Sequence, residues 1–183
     1  MDNVQQKTLV IIKPDGVQRN LIGEIISRFE RVGLKLTEMK MVTVDKEFSG
    51  KHYADDPVWE KSVGDKLLKF FEENNQDPVS NIGTNDPVEI GKKVRGWLAD
   101  YLTTSPVVAM VWEGPHAVEI IRKITGSTYP LSSAPGTIRG DYSFESPFLA
   151  NVGQRAIENL VHASGSVEEA NREIELWFGS KNS

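Results

Sequence analysis

Three short segments of this 183-residue chain place cationic or polar side chains where backbone can lie close to a ligand. They are Lys13-Pro14-Asp15-Gly16-Val17, Pro135-Gly136-Thr137-Ile138-Arg139-Gly140-Asp141 and Asn159-Leu160-Val161-His162-Ala163-Ser164. Each sets its polar group beside glycine, proline or the end of an apolar run, and glycine lets backbone approach a bound molecule. Together Lys13, Arg122 and Arg139 can surround several phosphate oxygens. Arginine suits planar, bidentate contact with phosphate, whereas lysine acts as a point charge. Taken singly, these residues have ordinary readings. Lys13 can be a solvated residue at a strand end, Arg139 can pair with Asp141, and Arg122 with Glu119. A lone histidine at a strand end, such as His162, is more often structural than catalytic.

Other chemistries are excluded or unsupported. With no cysteine there is no disulfide, thiolate metal site or cysteine nucleophile. His52, His116 and His162 include no close pair, so no zinc site is expected. A Walker A loop is absent, since Gly91-Lys92 is preceded by Asp86 where the first glycine is required, and there is no G-x-G-x-x-G fingerprint. The net charge of −5 weighs against binding nucleic acid or anionic lipid, yet a locally cationic pocket for a small anion remains compatible with it. Hydrophobic and charged fractions of 39% and 26% are those of an ordinary globular protein. The longest apolar runs, such as Leu9–Ile12 and Val107–Trp112, have strand length and not the length of a membrane span. Met1–Lys7 is polar and lacks the apolar core of a secretory signal, so a cytoplasmic location is expected.

The elements that must position the three segments can be read from periodicity. Thr8–Ile12 reads as a buried strand, and Lys13–Gly16 as the turn after it. Ile22, Ile25, Ile26, Phe29 and Val32 recur at helical spacing until Gly33, a helix C-terminal residue. Leu34–Val44 reads as a strand whose alternation changes phase between Leu36 and Met39, which predicts a bulge. Pro106–Trp112 is a third strand, and Gly114-Pro115 is expected to open a helix with His116 in its first turn. Gly126–Asp141 reads as a long ordered loop. Ala156–His162 leads to a short strand, and Ser166 with Glu169 forms a capping box for a last helix buried along Val167, Ala170, Ile174 and Trp177. Between strands two and three, Trp59, Val63, Leu67 and Phe70 mark one helix, and Ile90, Val94, Trp97, Leu98 and Tyr101 another, started by Asp86-Pro87. Asn74–Asn85 between them is polar and reads as loop. Without this middle region the order is βαββαβ, an α+β, ferredoxin-like antiparallel sheet with added helices and a long loop before the last strand.

In these segments the chain resembles the nucleoside diphosphate kinases. The resemblance runs through Thr8–Phe29, Ser105–Gly114, Arg122–Asp141 and Asn159–Phe178, with K-P-D-G, P-G-T-I-R-G-D and N-x-x-H-A-S in the family's order. It implies transfer of a terminal phosphate from a nucleoside triphosphate to a nucleoside diphosphate by a ping-pong reaction through a phosphohistidine at His162. Glu173, eleven residues on, matches the carboxylate that orients the ring, and Ser164 and Tyr53 match groups beside the nucleophile. Lys13, Arg122, Thr128 and Arg139 match phosphate-contacting positions, and Asn159 matches the asparagine that binds the sugar. The resemblance further implies Mg²⁺ carried on the nucleotide's phosphates and not on a protein metal site, nucleoside di- and triphosphates as partners, and a homo-oligomer.

Several positions depart from the family pattern. Gly165 stands where the family usually has Asp, which bears on magnesium and on local loop support. A helical hairpin at about 57–102 is extra within what reads as one domain spanning 1–183, and it brings Val94 to the position of a family Phe that stacks on the base. Trp97, one helical turn on, or Trp59 is a replacement ring. Ser143–Arg155 replaces a shorter link. The alternative to an enzyme is a nucleotide-binding regulatory module with weak or no turnover, for which Gly165 and Val94 are the grounds.

Overall fold

The computed structural model describes residues 4–53 and 56–179; Met1–Asn3 of the polar start fall outside that range. In chain order the elements are β1 (Gln5–Ile12), α1 (Pro14–Gln18), α2 (Ile22–Glu30), β2 (Lys35–Val42), α3 (Lys46–His52), α4 (Pro57–Glu73), α5 (Pro78–Ile82) and α6 (Pro87–Leu102). Then come β3 (Val107–Pro115), α7 (Ala117–Thr125), a 3-10 turn (Pro130–Ser132), α8 (Ile138–Tyr142), α9 (Pro147–Val152), β4 (Val161–Ala163) and α10 (Val167–Phe178). They form two compact units.

The first unit runs to Val44 and includes Ser105–Phe144 and the chain from Glu158. It holds an antiparallel sheet in the order β2-β3-β1-β4, the ferredoxin-like arrangement. The central strands β1 and β3 are the continuous apolar runs, and Leu9–Ile12 and Val107–Trp112 are buried. Strand alternation places Val10, Ile12, Val108, Met110 and Trp112 on one face, where Ile25 and Phe29 of α2 and Ala117 and Ile121 of α7 cover them. Phe29 meets Trp112 edge-on with centroids 5.3 Å apart. Each such aliphatic or aromatic side chain contributes about 1.5–3 kcal/mol on burial.

The bulge in β2 is present, as a register shift between Leu36 and Glu38. Gly33 follows α2 with φ 84°, a left-handed conformation that suits glycine. Other local expectations give way to longer-range pairing. Lys13–Gly16 is not a simple turn, because Pro14–Gln18 winds into the short helix α1 with Pro14 at its start. Gly114 and Pro115 do not open α7. They remain in β3 opposite Gln6 and Gln5, and left-handed His116 (φ 52°) turns the chain into Ala117. The sheet ladder outweighs the local helix-start signal there. The end of the expected loop Gly126–Asp141 winds into α8, capped by the Thr137 hydroxyl, which accepts from the Gly140 N–H at 3.1 Å. In α10 the buried face is Ala170, Glu173 and Trp177, whereas Val167 is exposed.

The second unit comprises Asp45–Thr104 and Glu145–Ile157. Its centre is the α4–α6 hairpin, where Leu67, Phe71, Ile82 and Ile90 form a small core. Phe71, and not Phe70, is fully buried. Two glycines set that rotation. A Cβ on Gly64 would stand 1.9 Å from the Pro87 carbonyl oxygen, and one on Gly91 would stand 2.1 Å from that of Glu60. The helices therefore cross backbone to backbone, which turns Glu60 inward to an ion pair with Arg95 at 2.9 Å. Asp86 caps α6 as expected, but the polar stretch before it contains α5, capped by Asp77 and delivering Ile82 to the core. Among the described residues no helix is long and apolar enough to cross a membrane.

Candidate active site

Strand β4 is only three residues long, and its pairing with β1 sets the site. Ile11 lies opposite His162 and Ile12 opposite Val161. Val161 belongs to the core face, so alternation turns His162 to the other face of the sheet. Helix α10 packs against β1 and presents Glu173 to the ring. His162 Nε2 and Glu173 Oε1 are 2.8 Å apart, and the other carboxylate oxygen accepts from the Ser164 hydroxyl at 2.6 Å. Glu173 is 2% exposed, so it is a buried orienting group and not a surface acid. A neutral ring that donates its Nε2–H to Glu173 carries its lone pair on Nδ1. The His162 side chain keeps 18% of its surface exposed, enough for a reactant to reach it.

Lys13 leaves β1 one residue beyond the pairing. Its backbone N–H donates to the Leu160 carbonyl at 2.8 Å, and its Nζ donates to Asn159 Oδ1 at 2.8 Å. The Asn159 amide in turn donates to the Thr128 carbonyl at 2.9 Å, which ties the 126–128 loop to Lys13. Gly16 makes this approach possible, since a Cβ there would lie 3.1 Å from the Leu160 oxygen and 2.7 Å from Ile12. Lys13 is 5% exposed, and burial, reinforced by nearby Arg139 and opposed by Asp15, pushes its pKa down to about 8.

Arg139 is also buried, and burial followed by the charge of Arg122 lowers its pKa to about 10, against the pull of Asp15. Its guanidinium donates to the carbonyls of Asn159, Gly126, Ser127 and Val161, at 3.1, 3.1, 2.9 and 2.5 Å. Of five N–H donors, four are thereby directed at backbone. Arg139 does not pair with Asp141, which binds Arg28 at 2.7 Å and the Gly136 N–H at 2.8 Å. Arg28 also donates to the Gly136 carbonyl and the Tyr142 hydroxyl, pinning this loop to α2. No local signal in the sequence marks Arg28 for that task.

A histidine oriented by a buried carboxylate, beside buried cations, is equipped for phosphoryl transfer, which needs positioning and charge neutralisation. Comparison with known proteins agrees. The family model described as "Nucleoside diphosphate kinase" matches residues 6–76 and 88–183. The chain belongs to the nucleoside diphosphate kinase family. A nucleoside diphosphate kinase of Pyrobaculum aerophilum is 52% identical over 173 residues, covering 94% of each chain. A crystal structure of an NDP kinase from Pyrobaculum aerophilum superposes with a TM-score of 0.92 at 50% identity, covering 95% of this chain and 96% of that one. A transition-state mimic of the Borrelia burgdorferi enzyme with bound vanadate and ADP superposes with a TM-score of 0.76 at 37% identity, covering 98% of this chain and 89% of that one. The activity of this nucleoside diphosphate kinase family member is phosphate transfer between nucleotides.

Two features set it apart at the site. Arg122, in the last turn of α7, is exposed and lies beside Gly165, where a Cβ would stand 3.6 Å from its Nη1. The same Cβ would stand 2.7 Å from Glu169 Oε2, which accepts from the Gly165 N–H at 2.7 Å. The Glu169 carboxylate therefore occupies the space that a side chain at 165 would enter. The capping-box pattern marked Glu169, but only as a helix cap; Ser166 does cap its N–H, at 3.1 Å. Tyr53, Val94 and Trp97 belong to the second unit. Tyr53 ends α3 with its ring against His52, and Val94 and Trp97 pack at the edge of the hairpin core.

Proposed function

We propose that His162 is the nucleophile that carries the phosphate, with Nδ1 attacking the terminal phosphorus of a nucleoside triphosphate. The observation that supports this is the 2.8 Å contact of Nε2 with buried Glu173, which puts the lone pair of the neutral ring on Nδ1. A bond forms from Nδ1 to phosphorus as the bond from phosphorus to the bridging oxygen breaks, and the diphosphate departs with the electron pair. A second nucleoside diphosphate reverses the step and takes the phosphate. Glu173 holds the ring and stabilises its charge, and Ser164 holds Glu173. Lys13 and Arg122 bind phosphate oxygens, with Arg139 adding one N–H while it fixes the surrounding backbone. Each charge-assisted bond is worth about 1.5–3 kcal/mol. Asn159 with Lys13 binds the sugar, Thr128 adds a phosphate contact, and Tyr53 takes part in the catalytic step. Val94 or Trp97 meets the base.

Divalent cation enters as part of the substrate. Three carboxylates of these segments are already engaged: Asp15 with the Leu160 N–H, Glu173 with His162 and Ser164, and Glu169 with the Gly165 N–H. That arrangement fits Mg²⁺ held on the nucleotide's phosphates and water. The enzyme acts as a homo-oligomer in the cytoplasm, and its 183 residues work as one domain carrying the α4–α6 hairpin. The regulatory-module alternative is not favoured, because the His162–Glu173–Ser164 chain and buried Lys13 are intact. Brief mixing with labelled ATP should leave acid-labile phosphate on His162, discharged by GDP. Stoichiometric label on His162→Ala would falsify the assignment.

A further inference from the structure

We propose that Asp15 is a positioning residue for phosphate transfer: its carboxylate holds the backbone of Leu160, and through it the Asn159–His162 segment, against Lys13 and Arg139. The inference rests on the reading of His162 as nucleophile.

Leu160 is the key to the segment. Its φ is 68°, in the left-handed region that a branched residue rarely adopts, and its side chain is fully buried. The Val161 N–H donates to the Asn159 carbonyl at 2.8 Å, so Leu160 is the centre of a three-residue turn of the rare, strained type. Such backbone persists only where its surroundings over-determine it. Here both polar backbone groups of Leu160 are taken by the Lys13–Asp15 segment. Its carbonyl accepts from the Lys13 N–H at 2.8 Å, and its N–H donates to Asp15 Oδ2 at 3.1 Å. Asn159 is the first residue of this turn and His162 directly follows its last, Val161, so the turn sets the spacing between the Lys13 partner and the nucleophile.

Asp15 has a second effect, through charge. It is 6% exposed and is the anion that opposes the lowering of both the Lys13 and the Arg139 pKa. The charged groups facing Lys13 are Arg139 and Asp15, and those facing Arg139 are Arg122 and Asp15. One buried carboxylate thus serves two buried cations. Its place in the first turn of α1 does not account for this, because the Leu160 bond reaches across the fold and not along that five-residue helix.

Two variants separate geometry from charge. Asp15→Asn keeps an acceptor for the Leu160 N–H and removes the charge; Asp15→Ala removes both. Single-turnover phosphorylation by ATP, KM and kcat, the pH profile of kcat/KM and Tm are measured for both, beside wild type and His162→Ala. Phosphoenzyme on wild type that vanishes in His162→Ala secures the nucleophile independently of Asp15. Asp15→Ala should then lower kcat about 10²-fold, the scale of an ångström's misplacement, with KM changing far less. Asp15→Asn should recover much of kcat and move the alkaline limb of kcat/KM down by about one pH unit, as loss of a neighbouring anion requires. The proposal is overturned if kcat and the alkaline limb of both folded variants match wild type, or if Asn rescues nothing. It also fails if Asp15→Asn does not fold, since Asp15 would then be a residue of the fold alone.

Discussion

His162 Nε2 lies 2.8 Å from Oε1 of Glu173, a carboxylate only 2% exposed and braced from its other oxygen by Ser164 at 2.6 Å. A buried acid of this kind fixes both the rotation of the ring and the tautomer that carries its lone pair on Nδ1. Glu173→Gln should therefore slow phosphoenzyme formation by about 10²–10⁴, the range in which an orienting acid acts on a catalytic histidine. Ser164→Ala, which loosens the brace and leaves the acid, should cost about tenfold, close to 1.4 kcal/mol. Rapid-quench measurement of the first turnover checks both, and unchanged rates would remove Glu173 from the mechanism.

Lys13 gives a pH signature. Burial holds its pKa near 8, so in the free enzyme the ammonium loses its proton as pH rises through that value. Phosphate binding should weaken correspondingly, and kcat/KM should fall above about pH 8. Bound nucleotide favours the charged form, so the limb in kcat should lie higher. Stability runs the other way. With its folded pKa below the unfolded value of about 10.4, this lysine makes the unfolded chain the better proton binder between the two, and its contribution to stability rises with pH across that window. A fall in kcat/KM without a fall in Tm, abolished in Lys13→Met, identifies the group.

Arg139 is held by four backbone carbonyls from two stretches of chain. Lysine cannot reproduce that fork. Arg139→Lys should lose about 2–4 kcal/mol of stability, at about 1 kcal/mol per lost bond plus the carbonyls left unpaired. Denaturant titration measures it, and nucleotide should recover little, since the loss is in the fold around the site.

Gly165 and Glu169 form a coupled pair. An aspartate at 165 would meet the Glu169 carboxylate at 2.7 Å from its Cβ and displace it from the Gly165 N–H. Gly165→Asp alone should destabilise the start of α10 by about 1 kcal/mol, the value of a lost cap. Gly165→Asp with Glu169→Ser should lose less than the single change. Additive Tm shifts in the double-mutant cycle would show the two sites to be independent.

The hairpin of the second unit depends on Gly64 and Gly91. Gly91→Ala would drive a methyl into the Glu60 carbonyl, 2.1 Å from its Cβ, and backbone cannot yield as a flexible side chain does. A loss of about 3 kcal/mol is expected, at the upper end for overpacking. Calorimetry checks it.

Much of this protein was legible in residue order. The four strands, the bulge in β2, the Ser166 and Asp86 caps and the His162, Lys13 and Asn159 positions follow from local period, cap chemistry and motif, which depend on neighbours a few residues apart. Tertiary structure decided what depends on distant partners. It kept Gly114 and Pro115 in the β1–β3 ladder, buried Glu173, and gave Asp141 to Arg28 and not to Arg139. It also set Asp15 on the N–H of a strained Leu160, 145 residues away. Periodicity reports which face of an element is apolar; it carries no record of which polar group on another element meets it, because that pairing is settled by burial and by the need to satisfy every backbone donor and acceptor at once.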